Sequence, residues 1–154
     1  MGVDEAYRTL WPIVRGKCAR MLADAAEAED VAQLTFVKLW RSGIARRTPS
    51  APPKVICAWI YRTSTRLAVD HLRRRRFEGT AAPELCTEAT PEGQTIARAA
   101  LARIARQVPK RELETVVLHR LDGLTQPEVA EVLGVSERTV RRRLARFDER
   151  RLEV

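Results

Sequence analysis

Apolar residues recur three and four positions apart along almost the whole chain, and stretches of strict alternation are nearly absent. A spacing of three and four winds one apolar stripe along a helix, whereas a half-buried strand needs a period of two. The pattern predicts an all-α protein with helices at about 4–23, 27–42, 55–76, 95–107, 110–121, 126–133 and 137–150. Two interruptions divide it. Ser42 to Lys54 contains Gly43, Pro49, Pro52 and Pro53 and reads as a loop, and Phe77 to Gly93, rich in Glu, Thr, Ala and Pro, reads as a flexible linker. The expected organisation is two small helical domains, 1–76 and 95–154, joined by an acidic linker at 77–94, with no internal repeat.

The sharpest local signal lies in GLTQPEVAEVLGVSERTVRRRLAR, Gly123 to Arg146. Thr125 is placed to cap a helix and Glu128, three residues on, to complete a capping box, while Pro127 falls in the first turn, where a missing N–H does no harm. Val129, Ala130, Val132 and Leu133 make the apolar stripe. Gly134 suits a left-handed helix end, and Ser136 caps the next helix only two residues later, so two helices meet at a tight turn. On the second of them Val140, Leu144 and Phe147 follow the spacing of a buried face. Arg138 and Arg142 then stand nearly opposite, flanked by Arg141 and Arg146. A basic helix of this kind fits the major groove, where arginine bonds guanine O6 and N7 in a bidentate manner and its neighbours neutralise phosphate.

The helix starting near Glu27 is less regular. Ala32, Phe36, Leu39 and Trp40 share the face expected to be core, which puts Leu34 and Val31 on the other side with Asp30, Lys38 and Arg41. Apolar surface among charges is covered either by a partner or by another helix of the same lobe. In the helix from about Val55 to Arg76, Ile60, Ser64, Leu67 and His71 should face the core, while Trp59, Arg62, Arg66 and Arg73 form a stripe roughly opposite. An aromatic ring among arginines is a surface for unstacked bases and phosphates. Arg73 to Arg76 extend the positive charge, which also suits a helix C-terminus.

Composition sharpens this picture. The net charge is +8 over 154 residues, and no Lys or Arg occurs between Arg76 and Arg98, where Glu78, Glu84, Glu88 and Glu92 lie. Two basic lobes flanking an acidic segment favour a polyanionic partner. Cys18, Cys57 and Cys86 are three, widely spaced and without a CxxC pair, so neither disulfide framework nor zinc ribbon is expected. No metal ligand, no cofactor and no catalytic constellation is expected, and neither a membrane span nor an export signal, so the location expected is the cytoplasm.

Three segments taken in order, AEAEDVAQLTFVKLW, AWIYRTSTRLAVDHLRRRR and VPKRELETVVLHRLDGLTQPEVAEVLGVSERTVRRRLAR, resemble the extracytoplasmic-function (ECF) sigma factors of bacterial RNA polymerase over about Tyr7 to Arg150. The resemblance implies sigma domain 2 joined directly to sigma domain 4. It implies that Asp30, Gln33, Leu34 and Val37 belong to a segment docking on the β′ coiled coil of core polymerase, with β also in contact. Trp59, Arg62, Arg66 and Arg73 would recognise and open the minus-ten element, and Glu137, Arg138, Arg141, Arg142, Arg143 and Arg146 would read the minus-thirty-five duplex. Promoter DNA and an anti-sigma factor are the further partners implied. The chain departs from the family pattern in three places: Leu34 stands where an acidic residue is usual, Thr65-Arg66 replaces a common Arg-Asn pair, and the base-capturing loop is the proline-containing Pro49 to Lys54. The rival expectation is a helix-turn-helix regulator or response-regulator-like output protein without sigma activity.

Overall fold

In the computed structural model, residues 1–47, 51–74 and 92–150 are described, and among them all regular structure is helical. Helix α1 spans Val3–Met21, α2 Ala25–Ser42, α3 Ile44–Arg47, α4 Pro53–Arg74, α5 Glu92–Gln107, α6 Lys110–Val116, α7 Gln126–Leu133 and α8 Glu137–Glu149. Asp24 starts α2 by accepting the N–H groups of Ala26 and Glu27 at 2.8 and 3.1 Å, and Gly43 stops it at φ 69°, a left-handed conformation open to a residue without Cβ. The expected loop after Ser42 holds the short α3, and α4 begins at Pro53, since proline is tolerated where a helix N–H has no partner to lose. The segment from Arg75 to Pro91, with the tandem Arg75-Arg76, Cys86 and most of the expected linker, lies outside the described residues.

One expected helix changes character midway. Beyond Val116 the chain does not keep α geometry but continues as a wider π-helical turn over Val117–Leu121, closed by the Asp122 N–H donating to the Val117 carbonyl at 3.0 Å.

The first core forms where α1, α2 and α4 meet, around Leu10, Val14, Met21, Phe36, Leu39, Ile56, Ile60 and Val69. Tyr7 and Trp11 stack at 5.2 Å between ring centroids, and Tyr7 meets Phe36 edge-on at 5.1 Å, aromatic geometries that add to burial. Helix α5 packs on α1 and α4, and Ala105, Val108, Leu113 and Val117 complete this same core. A second core lies under α6, α7 and α8, with Leu118, Val129, Leu133, Val140 and Leu144, and Ala58 and Tyr61 of α4 pack against it. The change of core therefore falls within α6 and the π turn rather than at the acidic segment. Successive residues there serve opposite sides: Val116 and Leu118 point into the second core, Leu113 and Val117 into the first.

Leu118 is fully buried. Leu118→Ala is expected to lower stability by about 2–5 kcal/mol, since a helix junction between two cores has little room to collapse into the cavity. The shift of the urea midpoint at constant slope measures it.

Candidate nucleic-acid interface

The pair α7–α8 has the local construction read from the sequence. The Thr125 side chain accepts from the Glu128 N–H at 3.4 Å, and the Glu128 carboxylate accepts the Thr125 N–H at 2.7 Å. The Thr125 N–H, and the Thr125 hydroxyl donating at 2.9 Å, hold the Glu128 carboxyl below the usual range. Gly134 ends α7 at φ 66° and ψ 38°, and Ser136 caps α8 by accepting the Thr139 N–H at 3.2 Å. Val140 and Leu144 are buried beneath α8 and Phe147 is half-buried. Arg138, Arg141, Arg142 and Arg146 are all exposed and make a basic face, with the acidic Glu137 exposed at the start of the helix. Arg143 differs: it turns inward and its guanidinium donates to the Thr115 hydroxyl of α6 at 3.4 Å. Burial and the nearby Arg111 guanidinium push its pKa below the ordinary arginine value. The far end of α8 is braced by Arg120 on Asp148 at 2.6 Å and by Arg150 on Glu112 at 2.9 Å.

On α2, Asp30, Gln33, Leu34 and Val37 share an exposed face, Leu34 and Val37 each at 41%. Two expectations on this helix are corrected. Val31, placed with Leu34 on the outer side, is buried in the first core, whereas Trp40, expected inside, is 55% exposed. The buried stripe runs through Ala28, Val31, Ala32, Thr35, Phe36 and Leu39 and leaves Trp40 past its edge, with Leu34, Val37 and Trp40 in one row at helical spacing.

The α4 stripe is the least like its expectation. Trp59 does not stand out from the surface but is half-buried against the first core. Arg62 is half-buried as well. Arg66 lies 3.8 Å from the Glu114 carboxylate of α6, and Arg73 donates to the carbonyls of Ala105 and Val108 at 3.3 and 2.8 Å. Half of the proposed strand-binding stripe thus meets the C-terminal half of its own chain. Burial raises the pKa of the Glu114 carboxyl, with Arg66 and Lys110 opposing the rise. His71, expected in the core, is half-buried and faces Glu27 at 3.1 Å.

Lys17 of α1 escaped the sequence reading. Its side chain is 1% exposed, and its ammonium donates to the Thr65 hydroxyl of α4 at 2.5 Å and to the carboxylate of Asp122, itself 2% exposed. Arg20 approaches the other oxygen of that carboxylate at 3.6 Å. Burial pulls the lysine pKa down while Asp122 pulls it back up. The signal for it was present, because Lys17 sits between Val14 and Met21 on the stripe that begins Ala6, Leu10. A lysine at a core position needs a buried partner. The neighbouring Cys18 is buried and its thiol pushed up to about 11, and burial also raises Cys57. Among the described residues no cluster of His, Cys, Asp or Glu is arranged to hold a metal ion, and no helix is long and apolar enough to cross a membrane.

A two-core helical protein with a helix-turn-helix bearing an exposed arginine face belongs, on its geometry, among DNA-binding proteins. Comparison with known families goes further. Sigma-70 region 2 matches residues 6–78 and Sigma-70 region 4 matches residues 98–146. The RNA polymerase sigma factor CnrH of Cupriavidus metallidurans is 33% identical over 135 residues, 78% of this chain and 69% of that one. CarQ of Myxococcus xanthus, also an RNA polymerase sigma factor, is 29% identical over 99% of this chain and 91% of its own, and the ECF sigma factor SigW of Bacillus subtilis is 24% identical over 96% and 88%. The sigma factor RpoE of Bartonella quintana, solved in complex with the anti-sigma factor NepR, shares the fold at a TM-score of 0.59, with 17% identity over 94% of this chain and 91% of that one. The chain belongs to the sigma-70 family, in its extracytoplasmic-function branch, and is an RNA polymerase sigma factor. The region 2 match sets aside the rival of a helix-turn-helix regulator with an unrelated N-terminal half.

Because Leu34 is exposed, Leu34→Glu is expected to leave the helical circular dichroism intact and stability within about 0.5 kcal/mol of the parent. A thermal melt decides whether this surface is structurally neutral.

Proposed function

We propose that residues 1–76 of this sigma factor dock on core RNA polymerase and open the minus-ten element, and that residues 95–154 read the minus-thirty-five element as duplex. The observation that carries the reading is the face of α8: five charged side chains, four of them arginines, stand exposed on one side of a helix whose other side is packed on α6 and α7. Arg138 and Arg142 stand opposite the buried Val140–Leu144 face in the N-terminal half of α8, the part that reaches deepest into a major groove, and they are assigned to base edges. Arg141 and Arg146 are assigned to phosphate, and Glu137 to the edge of the same contact. Arg143, tied to Thr115, supports the helix from within rather than reading DNA.

The exposed row of Leu34 and Val37, bordered by Asp30 and Gln33, is assigned to the β′ coiled coil of core polymerase, with β as a second contact. An apolar residue at position 34 makes this a contact of shape and burial more than of charge. Trp59, Arg62, Arg66 and Arg73 are assigned to the separated strand, on which bases stack and guanidinium groups hold phosphates, so that capture offsets unstacking. The factor acts in the cytoplasm without covalent chemistry of its own. An anti-sigma factor is a partner consistent with the RpoE–NepR likeness.

Run-off transcription with core polymerase and a genomic promoter library tests the whole reading. Promoter-specific initiation dependent on this chain is expected, and initiation only when another sigma factor is present overturns it.

The division of labour on α8 has its own test. Arg138→Ala or Arg142→Ala should cost about 1–3 kcal/mol on the preferred minus-thirty-five duplex and relax selectivity at one base pair. Arg146→Ala should weaken all sequences alike and reduce the salt slope by about one. Fluorescence anisotropy on single-base variants at several salt concentrations separates the two. Uniform loss for all three would make the helix a phosphate anchor.

A further inference from the structure

A helix that reads bases must be held against rotation about its own axis as well as packed. A roll of about 20° moves side-chain ends about 6 Å from the axis by about 2 Å, whereas a working contact tolerates about 0.5 Å. The apolar stripe of α8, Val140 and Leu144 with the half-buried Phe147, supplies burial without a directional bond. Polar mounts supply the rest. At about 100° per residue Arg143 and Asp148 fall on opposite edges of that stripe. Arg143 donates to the Thr115 hydroxyl on one edge, and Asp148 accepts from Arg120 at 2.6 Å on the other, with the Arg120 guanidinium 5.4 Å from the centre of the Phe147 ring. Past the C-terminal end the Arg150 guanidinium forks onto both oxygens of Glu112, Nε to Oε2 at 2.9 Å and Nη2 to Oε1 at 3.3 Å.

These mounts differ in strength. Arg120 and Asp148 are both exposed, and an ion pair in water contributes little. The Arg143 bond is long, at 3.4 Å. The Glu112 side chain, by contrast, is only 8% exposed, and a charge-assisted fork is both stronger and more directional than a single bond. A buried carboxylate that lost its arginine would be left uncompensated, so the fork stays closed. Its other end is fixed as well: Glu112 stands in α6 beside Leu113, which is fully buried in the first core, so the anchor does not drift with α8. We propose that Glu112 is a positioning residue for duplex reading, which through Arg150 fixes the roll of α8 and so sets the base selectivity of Arg138 and Arg142. The inference rests on the assignment of those two arginines to base edges. Glu112 is acidic and buried in α6, so it adds nothing to DNA affinity directly. Its contribution lies in where the arginines point.

The test uses the full chain, in anisotropy titrations of the duplex that the parent protein selects from a randomised pool, of its single-base variants and of a mixed-sequence duplex. Glu112→Gln keeps the shape of the side chain and removes its charge, while Arg150→Lys keeps the charge and removes the fork. A bidentate base contact discriminates about 5–150-fold, and each variant should lose at least about fivefold of that selectivity at the base pairs where Arg138→Ala or Arg142→Ala relaxes it. Binding of the mixed-sequence duplex should not weaken, and for Glu112→Gln it should tighten, because a negative charge is gone. Arg150→Lys should keep the parent's salt slope. Since the two residues act through one contact, the double variant should lose little more selectivity than either single variant. Folded variants with the parent's selectivity overturn the proposal and leave the fork a stabilising contact only. Equal weakening on every sequence also overturns it and makes Arg150 a phosphate contact. Should Glu112→Gln lose helical circular dichroism, Arg150→Lys, at the exposed end of α8, decides alone by the same criteria. A parent that selects no sequence from the pool would instead remove the assignment of α8 to base edges, and the positioning role with it.

Discussion

A lysine held away from water governs how the two halves of this molecule sit together. Removing an ammonium from solvent is costly, and the cost is met only where a carboxylate and a hydroxyl converge on it. Asp122 and Thr65 do so from opposite sides, one at the end of the π turn and one on α4, so satisfying Lys17 brings three distant stretches of chain to one point. The apolar contacts of Ala105, Val108, Leu113 and Val117 supply burial across the same boundary, but they carry no directional bond. Charge geometry fixes the register.

From that point the rest follows in layers. With α1 and α4 tied to Asp122, α6 runs along α4, and the residues from Leu113 to Leu118 alternate between two cores. The helix-turn-helix then projects α8 outward, buried through Val140 and Leu144 and braced at its middle, at Arg143 by Thr115, and at its C-terminal end, at Arg150 by Glu112. The face left over carries no packing demand and holds Arg138, Arg141, Arg142 and Arg146. On the opposite part of the molecule α2 presents Leu34 and Val37 for a comparable reason: its stripe is satisfied by Val31, Phe36 and Leu39.

Much of this was legible in the residues. Helix positions followed from apolar periodicity and most ends from caps, with Thr125, Glu128, Gly134 and Ser136 each doing what its chemistry suggested. The basic face of α8 was readable because it depends on one helix alone. Side chains whose setting depends on two elements were not. Trp40 and Val31 exchanged places because a stripe wider or narrower by one residue decides which edge is covered. Arg143 shares the outward arginines' composition but meets Thr115 of another helix. Trp59, Arg66 and Arg73 read as a free surface, since a single helix cannot show what will pack on it. Lys17 left a trace, a charge within an apolar stripe, but its partner Asp122 sits in a sequence, Asp-Gly, that equally suits a turn.

The π turn at Val117–Leu121 carries one more residue than an α-helix of the same rise would hold. Each residue of an α-helix advances the side chain by about 100°, so the extra one sets where the Asp122 carboxylate emerges around the axis. Were that turn regular, the acid would leave on another side and Lys17 would have no counter-ion. Chain length at this junction is thus a tuning parameter for how firmly the halves hold one another. Relatives that gained or lost a single residue here would change the grip on Lys17 and the packing of both cores together, because Val117 and Leu118 of that same turn belong to one core each.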